Sequence, residues 1–271
     1  IELVRRLQQQ LGGEVHTHAR FGTAKWFIEP DIWQAVVGRY GLHGRDLEPA
    51  APIFAFLPES IDFVTARSEF YTEPSALPEV ERGSIKLDLH RRDFTINTLA
   101  IRLDGAHLGE MLDFYGGQRD LELGLIRVLH SLSFIDDPTR ILRAVRLEQR
   151  LAFSIEPRTL ELLEDSLPML PRVTGDRIRR EIEQGMREAD PVKVLERLSN
   201  LRVLHYIQEG LLWTQEAAQY LYRVPLFITD PLWQDALLED SREFFYFALW
   251  LVPLPRDVQQ KTVRRLRGRK T

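Results

Sequence analysis

The residues whose types and spacing could do chemistry lie in the block D-D-P-T-R-I-L-R-A-V-R at 136–146. Pro138 suits the first position of a helix, which places Asp137 as the helix N-cap. At about 100° per residue, the apolar residues of this helix fall on one side and the arginines on the other. These arginines are Arg140, Arg143, Arg146 and Arg150. Guanidinium groups in a row suit phosphates and base edges, although the block taken alone also fits a capping aspartate followed by solvated arginines.

Two further blocks precede this helix. They are D-L-H-R-R-D-F-T-I-N at 88–97 and Y-G-G-Q-R-D-L at 115–121. Within the first, Asp93 and Asn97 are four residues apart and share a face if the stretch is helical. Taken alone, such a stretch also fits a helix cap with ordinary surface charge.

In this order and spacing, the three blocks resemble motifs of the class II tRNA nucleotidyltransferase and bacterial poly(A) polymerase family. Two other stretches match as well, I-D-F-V-T-A-R-S-E-F-Y at 61–71 and V-T-G-D-R-I-R-R-E-I at 173–182. The resemblance covers roughly residues 1–210. It implies template-independent addition of C and/or A, from CTP and ATP, to the 3′ end of tRNA or another RNA, with release of pyrophosphate. Poly(A) polymerase activity and a non-catalytic RNA-binding remnant stay open as alternatives.

The same resemblance implies roles for individual residues. Asp137 and Arg140 would read the incoming base, because cytosine and adenine both present an amino donor beside an unprotonated ring nitrogen. Guanine and uracil present the reverse order and would leave polar groups unpaired, at a cost of about 1–3 kcal/mol each. The other implied nucleotide-binding residues are Arg92, Asp93, Asn97, Arg143 and Arg146. Gly116 and Gly117 would form a flexible joint and carry no chemistry.

The resemblance also implies two Mg²⁺ ions held by clustered carboxylates. Asp62, on a predicted strand at 61–67, matches one catalytic metal ligand of related enzymes; as an isolated strand carboxylate it would be an ordinary exposed charge. The G-G-x-V-R-D and D-x-D segments that carry the other ligands do not occur in this sequence. We therefore expect those ligands upstream of Ile1, and expect the chain as given to be inactive. His16 and His18 share a strand face but have no third ligand nearby, which favours a packed or exposed pair over a metal site.

Composition limits the class of protein. The chain has 271 residues, 44% hydrophobic and 28% charged, with no cysteine, which excludes disulfides and thiolate metal sites. We find no apolar stretch long enough for a bilayer and no cleavable signal, so we expect a cytoplasmic protein without a membrane partner. The formal net charge of −4 does not by itself indicate nucleic-acid binding, but arginines concentrate at 140–202 and 264–270. The oligomeric state stays open.

Hydrophobic periodicity and turn residues predict the order of elements. The predicted helices span 1–11, 84–92, 137–151, 157–167, 174–188 and 191–201. Strands are predicted at 14–20, 22–28, 61–67, 98–103 and 125–129, with an insertion or long loop over 29–60 and a turn-rich passage over 72–83. The aromatic-rich remainder, including Trp213, Tyr220, Trp233 and 244–247, fits further helices. We predict an α+β fold, comprising a small mixed-sheet head of the polymerase beta-like nucleotidyltransferase kind (1–128), a helical neck for base recognition (129–190) and a helical RNA-binding body (191–271).

Overall fold

The computed structural model describes residues 1–18, 22–40, 57–70, 79–228 and 242–266. It divides into two compact units, and each is described below by itself. The first comprises residues 1–69 and 80–88, and the second comprises residues 70–79 and 89–271.

The first unit begins with helix α1 (Glu2–Leu11), followed by an antiparallel sheet of three strands in the order β1-β2-β3. The strands are β1 (Glu14–His18), β2 (Thr23–Phe27) and β3 (Ser60–Val64). Helix α1 ends at Gly12, whose φ of 86° favours glycine and whose N–H donates to the Gln8 carbonyl at 2.8 Å. The predicted first helix and all three strands are confirmed, while the turn between the first two strands lies outside the described residues.

Helix α2 (Pro30–Tyr40) corrects the prediction of a loop over 29–60. Proline is tolerated in the first turn of a helix because the N–H it lacks would have no partner there. Ile32 and Trp33 then pack, partly buried, against the small core of this unit. Residues 41–56, in the same predicted loop, lie outside the described ranges.

That small core consists of Val4, Ala24, Trp26 and Ile28. The indole Nε1 of Trp26 donates to the Gly12 carbonyl at 3.0 Å, which ties the sheet to the end of α1. On β3, Ile61 and Phe63 are half-buried, as their alternation predicts. The alternation of Ile61, Phe63 and Thr65 with Asp62 and Val64 also predicts a buried Thr65, but Thr65 is exposed because β3 ends at Val64.

Two short strands, β4 (Arg67–Phe70) and β5 (Glu79–Arg82), pair as a second sheet. The turn-rich passage was predicted over 72–83, but its last part forms strand β5. Residues 72–78 of that passage lie outside the described ranges. Helix α3 (Ile85–His90) follows within the predicted 84–92 helix, and the boundary between the two units falls inside it.

The second unit starts with short elements and becomes helical after them. A 3₁₀ turn (Thr95–Thr98) leads to the paired strands β6 (Ala100–Ile101) and β7 (Met111–Leu112) and to helix α4 (Gly117–Leu123). Strand β8 (Leu125–Ile126) pairs in parallel with β9 (Ser154–Ile155). A side chain at Gly117 would meet the Thr95 carbonyl oxygen at 2.3 Å, so the first residue of α4 packs too closely on the 3₁₀ turn to carry a side chain.

The remaining helices confirm the predicted helical half. They are α5 (Ser133–Asp136), α6 (Thr139–Leu151), α7 (Pro157–Ser166), α8 (Gly175–Met186), α9 (Pro191–Asn200), α10 (Val203–Ile207), α11 (Gln215–Ile228), α12 (Arg242–Leu251) and α13 (Arg256–Leu266). Proline opens α7 and α9, and the residue before each proline, Glu156 or Asp190, accepts a backbone N–H with its carboxylate.

Helix α6 is central to the core of this unit and contacts α8 and α9. Ile141, Leu142 and Val145 are buried, which confirms its predicted apolar side. Trp213 and Tyr220 pack partly buried on the same core, whereas Trp233 lies outside the described residues. Together with the small sheets, this helical half confirms the predicted α+β class. No helix in the described ranges combines the length and hydrophobicity that crossing a bilayer requires.

Candidate functional site

The arginine side of α6 is not the row of solvated arginines that the block taken alone also allowed. Arg140 is only 5% exposed, and the side chain of Arg146 is 12% exposed, against 37% for Arg143 and 48% for Arg150. The 88–97 block and α8 supply acceptors for this side, which is why arginines can be buried there. The arginines therefore belong to a packed polar site.

Arg140 connects the start of α6 with the 88–97 block. Its Nη1 donates to the Ser133 hydroxyl at 2.5 Å, and its Nη2 donates to the Arg91 carbonyl at 2.8 Å. Both acceptors are neutral, so these bonds orient the guanidinium without neutralising its charge.

Asp93 is buried at the centre of this block. Its Oδ1 accepts the Asn97 amide and the Phe94 N–H, both at 2.9 Å, and its Oδ2 accepts Arg143 Nε at 2.8 Å and Nη2. Burial opposes ionisation, but the charge of Arg143 and these hydrogen bonds together lower the pKa of Asp93 below its usual value. Asp93 and Asn97 are thus in direct contact, although the stretch between them is not the α-helix on which a shared face was predicted, because the helix before it ends at His90.

Arg92 contacts residues 93–97 on their solvent-exposed side. Its Nη1 donates to the Asn97 carbonyl at 3.0 Å, so the guanidinium is held close to the segment while the residue stays exposed to solvent. The structure thus brings the predicted Arg92, Asp93, Asn97, Arg140 and Arg143 together around one short segment.

Asp137 receives three hydrogen bonds on the same oxygen. Its Oδ1 accepts the Thr139 N–H at 3.1 Å, the Thr139 hydroxyl at 2.6 Å and Arg177 Nη2 at 2.7 Å. Helix α6 begins at Thr139, one residue later than predicted, but the expected interaction of Asp137 with the helix start is present. Because all three bonds use Oδ1, they leave the lone pairs of Oδ2 for another donor.

Arg177 and Glu181 are site residues that sequence reasoning missed. Both lie on α8 and are four residues apart, which places them on one helix face, a signal that could have singled them out. Arg177 bonds to Asp137, while Glu181 lies 3.7 Å from Arg143 Nη1 through Oε1 and 3.7 Å from Arg146 Nη2 through Oε2.

Glu181 and Arg146 are largely buried side by side without a short hydrogen bond between them, while Arg146 Nη1 donates to Gln184 Oε1 at 3.3 Å. Burial raises the pKa of Glu181 despite the two arginines, and burial lowers the pKa of Arg146. Glu181 Oε2 and Arg146 Nε are buried and have no hydrogen-bond partner. Since 3.7 Å exceeds hydrogen-bonding distance, an anion could approach Arg146 without breaking a short bond to Glu181.

Among the described residues, arginines outnumber carboxylates at this site. The arginines are Arg92, Arg140, Arg143, Arg146 and Arg177, and the carboxylates that contact them are Asp93, Asp137, Glu181 and Glu188. Several guanidinium groups in one place suit an anionic ligand with polar edges, such as a nucleotide.

Asp62, the predicted metal ligand, belongs to the first unit. Its side chain on β3 is 68% exposed, and Oδ1 lies 3.7 Å from the ammonium group of Lys25 on the paired strand. Within the described ranges, no three histidine, aspartate or glutamate side chains are grouped so as to hold a metal ion. The described residues therefore do not make up a metal centre by themselves. His16 and His18 are exposed, and His16 Nε2 lies 2.8 Å from Glu14 Oε1.

Comparison with known proteins matches two parts of the chain to family models. Residues 42–127 match the poly A polymerase head domain, and residues 152–213 match the probable RNA and SrmB-binding site of polymerase A.

Individual relatives agree with these family models. The A-adding tRNA nucleotidyltransferase of Geobacter sulfurreducens is 40% identical over 84% of this chain and 23% of its own length. The corresponding protein of Aquifex aeolicus is 38% identical over 82% of this chain and 24% of its own length. The chain thus spans about a quarter of these relatives. A crystal structure of a tRNA nucleotidyltransferase with a primer tRNA and an incoming ATP analogue is 31% identical, with a TM-score of 0.71, over 99% of this chain and 68% of that one.

Proposed function

Because this chain belongs to the class II tRNA nucleotidyltransferase and poly(A) polymerase family, we propose that it adds nucleotides to the 3′ end of tRNA. The substrates would be ATP and/or CTP, and pyrophosphate would leave. The observation that carries this proposal is that Arg140 and Arg143 of α6 both bind the 88–97 block, at the Arg91 carbonyl and at Asp93. These contacts support a nucleotide site on residues that lie far apart in sequence.

Base selection would use the start of α6. The Oδ2 atom of Asp137 would accept the exocyclic amino group of adenine or cytosine, and Arg140 would donate to the adjacent ring nitrogen. The bonds from Thr139 and Arg177 keep the Asp137 carboxylate in one orientation, and the bonds to Ser133 and Arg91 do the same for Arg140. Such preorganisation is what lets two side chains discriminate between bases without a template.

Arg143 and Arg146 would bind the triphosphate, and Arg92 would make a further contact with it. Asp93 holds Arg143 on one side and Glu181 lies between Arg143 and Arg146, so both guanidinium groups have defined positions before a ligand arrives. Asn97 would act through Asp93, since its amide already donates to that carboxylate.

Nucleotidyltransferases of this kind generally depend on a metal ion, and we propose Mg²⁺ here, two ions with Asp62 as one ligand. When bound, the metal would stabilise the charge that develops on the phosphates. Because the described residues do not form a metal centre, the steps derived for this chain are limited to binding and orientation.

We also propose a separate role for each of three parts of the chain. Residues 1–128 would form the head, 129–190 the neck that recognises the base, and 191–271 the body that binds RNA. The match of 152–213 to an RNA-binding model supports RNA contacts across the last two parts. A tRNA-processing role would place the protein in the cytoplasm.

We further propose that addition of A is the main activity. The relatives from Geobacter sulfurreducens and Aquifex aeolicus, which each align over more than four-fifths of this chain, are both described as A-adding. A poly(A) polymerase is the second candidate, favoured by the match to the polymerase head model. Product length separates the two, because A addition to tRNA stops after one residue and a poly(A) polymerase makes a long tail.

The test is incorporation of labelled ATP, CTP, GTP or UTP onto tRNA ending before A or before C-C-A, with and without Mg²⁺. In the full-length protein we expect ATP to be used, CTP equally or less, and GTP and UTP poorly. Arg140→Lys keeps the charge but loses the planar fork, so it should reduce discrimination against GTP and UTP by about tenfold or more. Binding of RNA without incorporation of any nucleotide would instead identify a non-catalytic RNA-binding protein.

A further inference from the structure

Asp120 is a buried carboxylate that the nucleotide-site contacts described above do not use. It lies on helix α4, inside the 115–121 block, and only 4% of the residue is exposed. Its Oδ2 accepts the Thr95 hydroxyl at 2.7 Å, and Thr95 is itself buried. A buried carboxylate needs hydrogen bonds and a compensating charge, so its partners indicate what it holds in place.

Arg127 compensates the charge of Asp120. Its Nε donates to both carboxylate oxygens, at 3.0 Å to Oδ2 and 3.2 Å to Oδ1, and its Nη1 lies 3.3 Å from Glu156 Oε1. The hydrogen bond to Asp120 raises the pKa of Arg127 above its usual value. Glu156 is in turn fixed at the start of α7, where its Oε2 accepts the Thr159 N–H at 2.8 Å and the Thr159 hydroxyl at 2.9 Å. The Asp120 carboxylate is thus held in place on one side by Arg127, while it accepts the Thr95 hydroxyl.

Thr95 occupies the middle of the segment that orients the nucleotide-site side chains. Asp93, two residues before it, binds Arg143, and Asn97, two residues after it, binds Asp93. The backbone of Thr95 is held as well, because its N–H donates to the Arg127 carbonyl at 2.9 Å. The segment is therefore bound by α6 at Asp93 and by a second group of residues at Thr95.

We propose that Asp120 is a positioning residue for the nucleotide site, and this rests on the function proposed above. By holding the Thr95 hydroxyl, Asp120 fixes the segment from which Asp93 orients Arg143 for the triphosphate. Asp120 does not need to touch the ligand for this role, because a side chain that binds a ligand depends on the groups that hold it in position. The 115–121 block thereby contributes to ATP binding.

Thr95→Val tests the link, because valine has nearly the shape of threonine and removes the hydroxyl while Asp120 and Arg127 stay paired. The affinity for ATP, measured by titration calorimetry, should fall by about three- to tenfold, as expected for the loss of one hydrogen bond. In steady-state kinetics of the full-length protein, the KM for ATP should rise by the same factor and the KM for tRNA should stay unchanged. Thr95→Ser keeps the hydroxyl and should restore the affinity for ATP.

Asp120→Asn should also weaken ATP binding, since the amide lacks the charge that pairs with Arg127. Combined with Thr95→Val, it should weaken ATP binding by less than the product of the two single effects, because both substitutions act on the same hydrogen bond. Two independent effects that multiply would contradict a role of Asp120 through Thr95.

Thr159→Val is the matched control. It also removes a buried hydroxyl bound to a carboxylate, that of Glu156, but it lies outside the 88–97 block. It should lower the melting temperature about as much as Thr95→Val does and leave the affinity for ATP unchanged. Equal losses of ATP affinity in the two valine variants would overturn the proposal, and so would an unchanged affinity in Thr95→Val.

The same experiments separate this role from the proposed function. If the variants change ATP binding as expected but the unaltered protein incorporates no nucleotide, the proposed function fails and the role of Asp120 stands. If the unaltered protein incorporates ATP and Thr95→Val binds it equally well, the function stands and the role of Asp120 fails. An unaltered protein that binds no ATP would overturn both.

Discussion

At the scale of single residues, the site is built from ionisable groups that the protein partly buries. Asp93 and Glu181 both contact Arg143, yet the pKa of Asp93 is lowered and that of Glu181 is raised. The difference follows from distance, because Asp93 accepts short hydrogen bonds whereas Glu181 stands 3.7 Å from its arginines. Asp93 therefore stabilises the folded state at neutral pH. Glu181 positions Arg143 and Arg146, and the burial of its carboxylate lowers the stability of the folded state.

Glu181→Gln tests this separation. A raised folded-state pKa means that the ionised carboxylate is disfavoured in the folded protein, so stability from this group is lost as pH rises above its unfolded-state pKa. Removing the charge should leave the melting temperature at pH 7 unchanged or higher, while the KM for ATP rises several-fold because Arg143 and Arg146 lose their shared positioning residue. Thermal melts at pH 5 and pH 7 alongside steady-state kinetics measure both effects.

Asp93→Asn is the matched comparison for Glu181→Gln. Stability from Asp93 is present above its unfolded-state pKa and is lost as pH falls through the lower folded-state pKa. This variant should therefore lower the melting temperature at pH 7 and lose part of the acid dependence. Equal destabilisation at pH 7 by both substitutions would contradict the assignment of opposite roles.

At the scale of elements, the neighbours of α6 decide what its arginines do. Helix α8 supplies Arg177 and Glu181 to the site, so the position of α8 fixes that part of the polar network. The first residue of α8 packs against the end of α13, where a side chain on Gly175 would meet the Arg265 carbonyl oxygen at 1.7 Å. Arg265 in turn donates to the Val173 carbonyl at 2.7 Å, just ahead of α8.

Gly175→Ala should therefore move α8 or α13 and destabilise the second unit by about 1–3 kcal/mol. Its control is Gly185→Ala in the same helix, where the new methyl would meet only a Val194 side-chain methyl at 3.1 Å and alanine favours the helix by about 1 kcal/mol. Chemical denaturation should show a clear loss for the first variant and a small change of either sign for the second. A loss of equal size in both would show that the contact with α13 is unimportant.

At the scale of the whole molecule, two separate hydrophobic cores of very different size coexist. Over the ranges that the structure describes, the first unit has a core of four buried residues around Trp26, whereas the second has a large core that includes Trp250. A small core supplies less stabilisation, so we expect the first unit to unfold at the lower temperature. Each tryptophan donates its indole N–H to a backbone carbonyl, Gly12 for Trp26 and Leu212 for Trp250.

The matched substitutions Trp26→Phe and Trp250→Phe separate the two cores. Each loses one buried hydrogen bond and some packing, at a cost of about 1–3 kcal/mol. In calorimetry, Trp26→Phe should lower only the first transition and Trp250→Phe only the second. One shared transition that both variants lower equally would mean that the units unfold together.

Much of the fold was predictable because local signals are strong in this sequence. Prolines at the first turns of α7 and α9, together with helical periodicity, located those helices, and Gly12 marked the end of α1. Helix α2 was missed because proline and glycine around it favoured a loop. Thr65 was misplaced because alternation does not show where a strand ends.

The sequence by itself determined the family, the α+β class, the buried side of α6 and the identity of the nucleotide-site residues to test. Those properties depend on residue types, on short-range spacing and on the order of motifs. Only the tertiary structure decided that Arg140 is buried against the 88–97 block, that Arg177 and Glu181 join the site, and that Asp120 binds Thr95. The physical reason is that hydrogen bonds and burial depend on which segments pack together, and helical or strand periodicity specifies only which face of an element is buried.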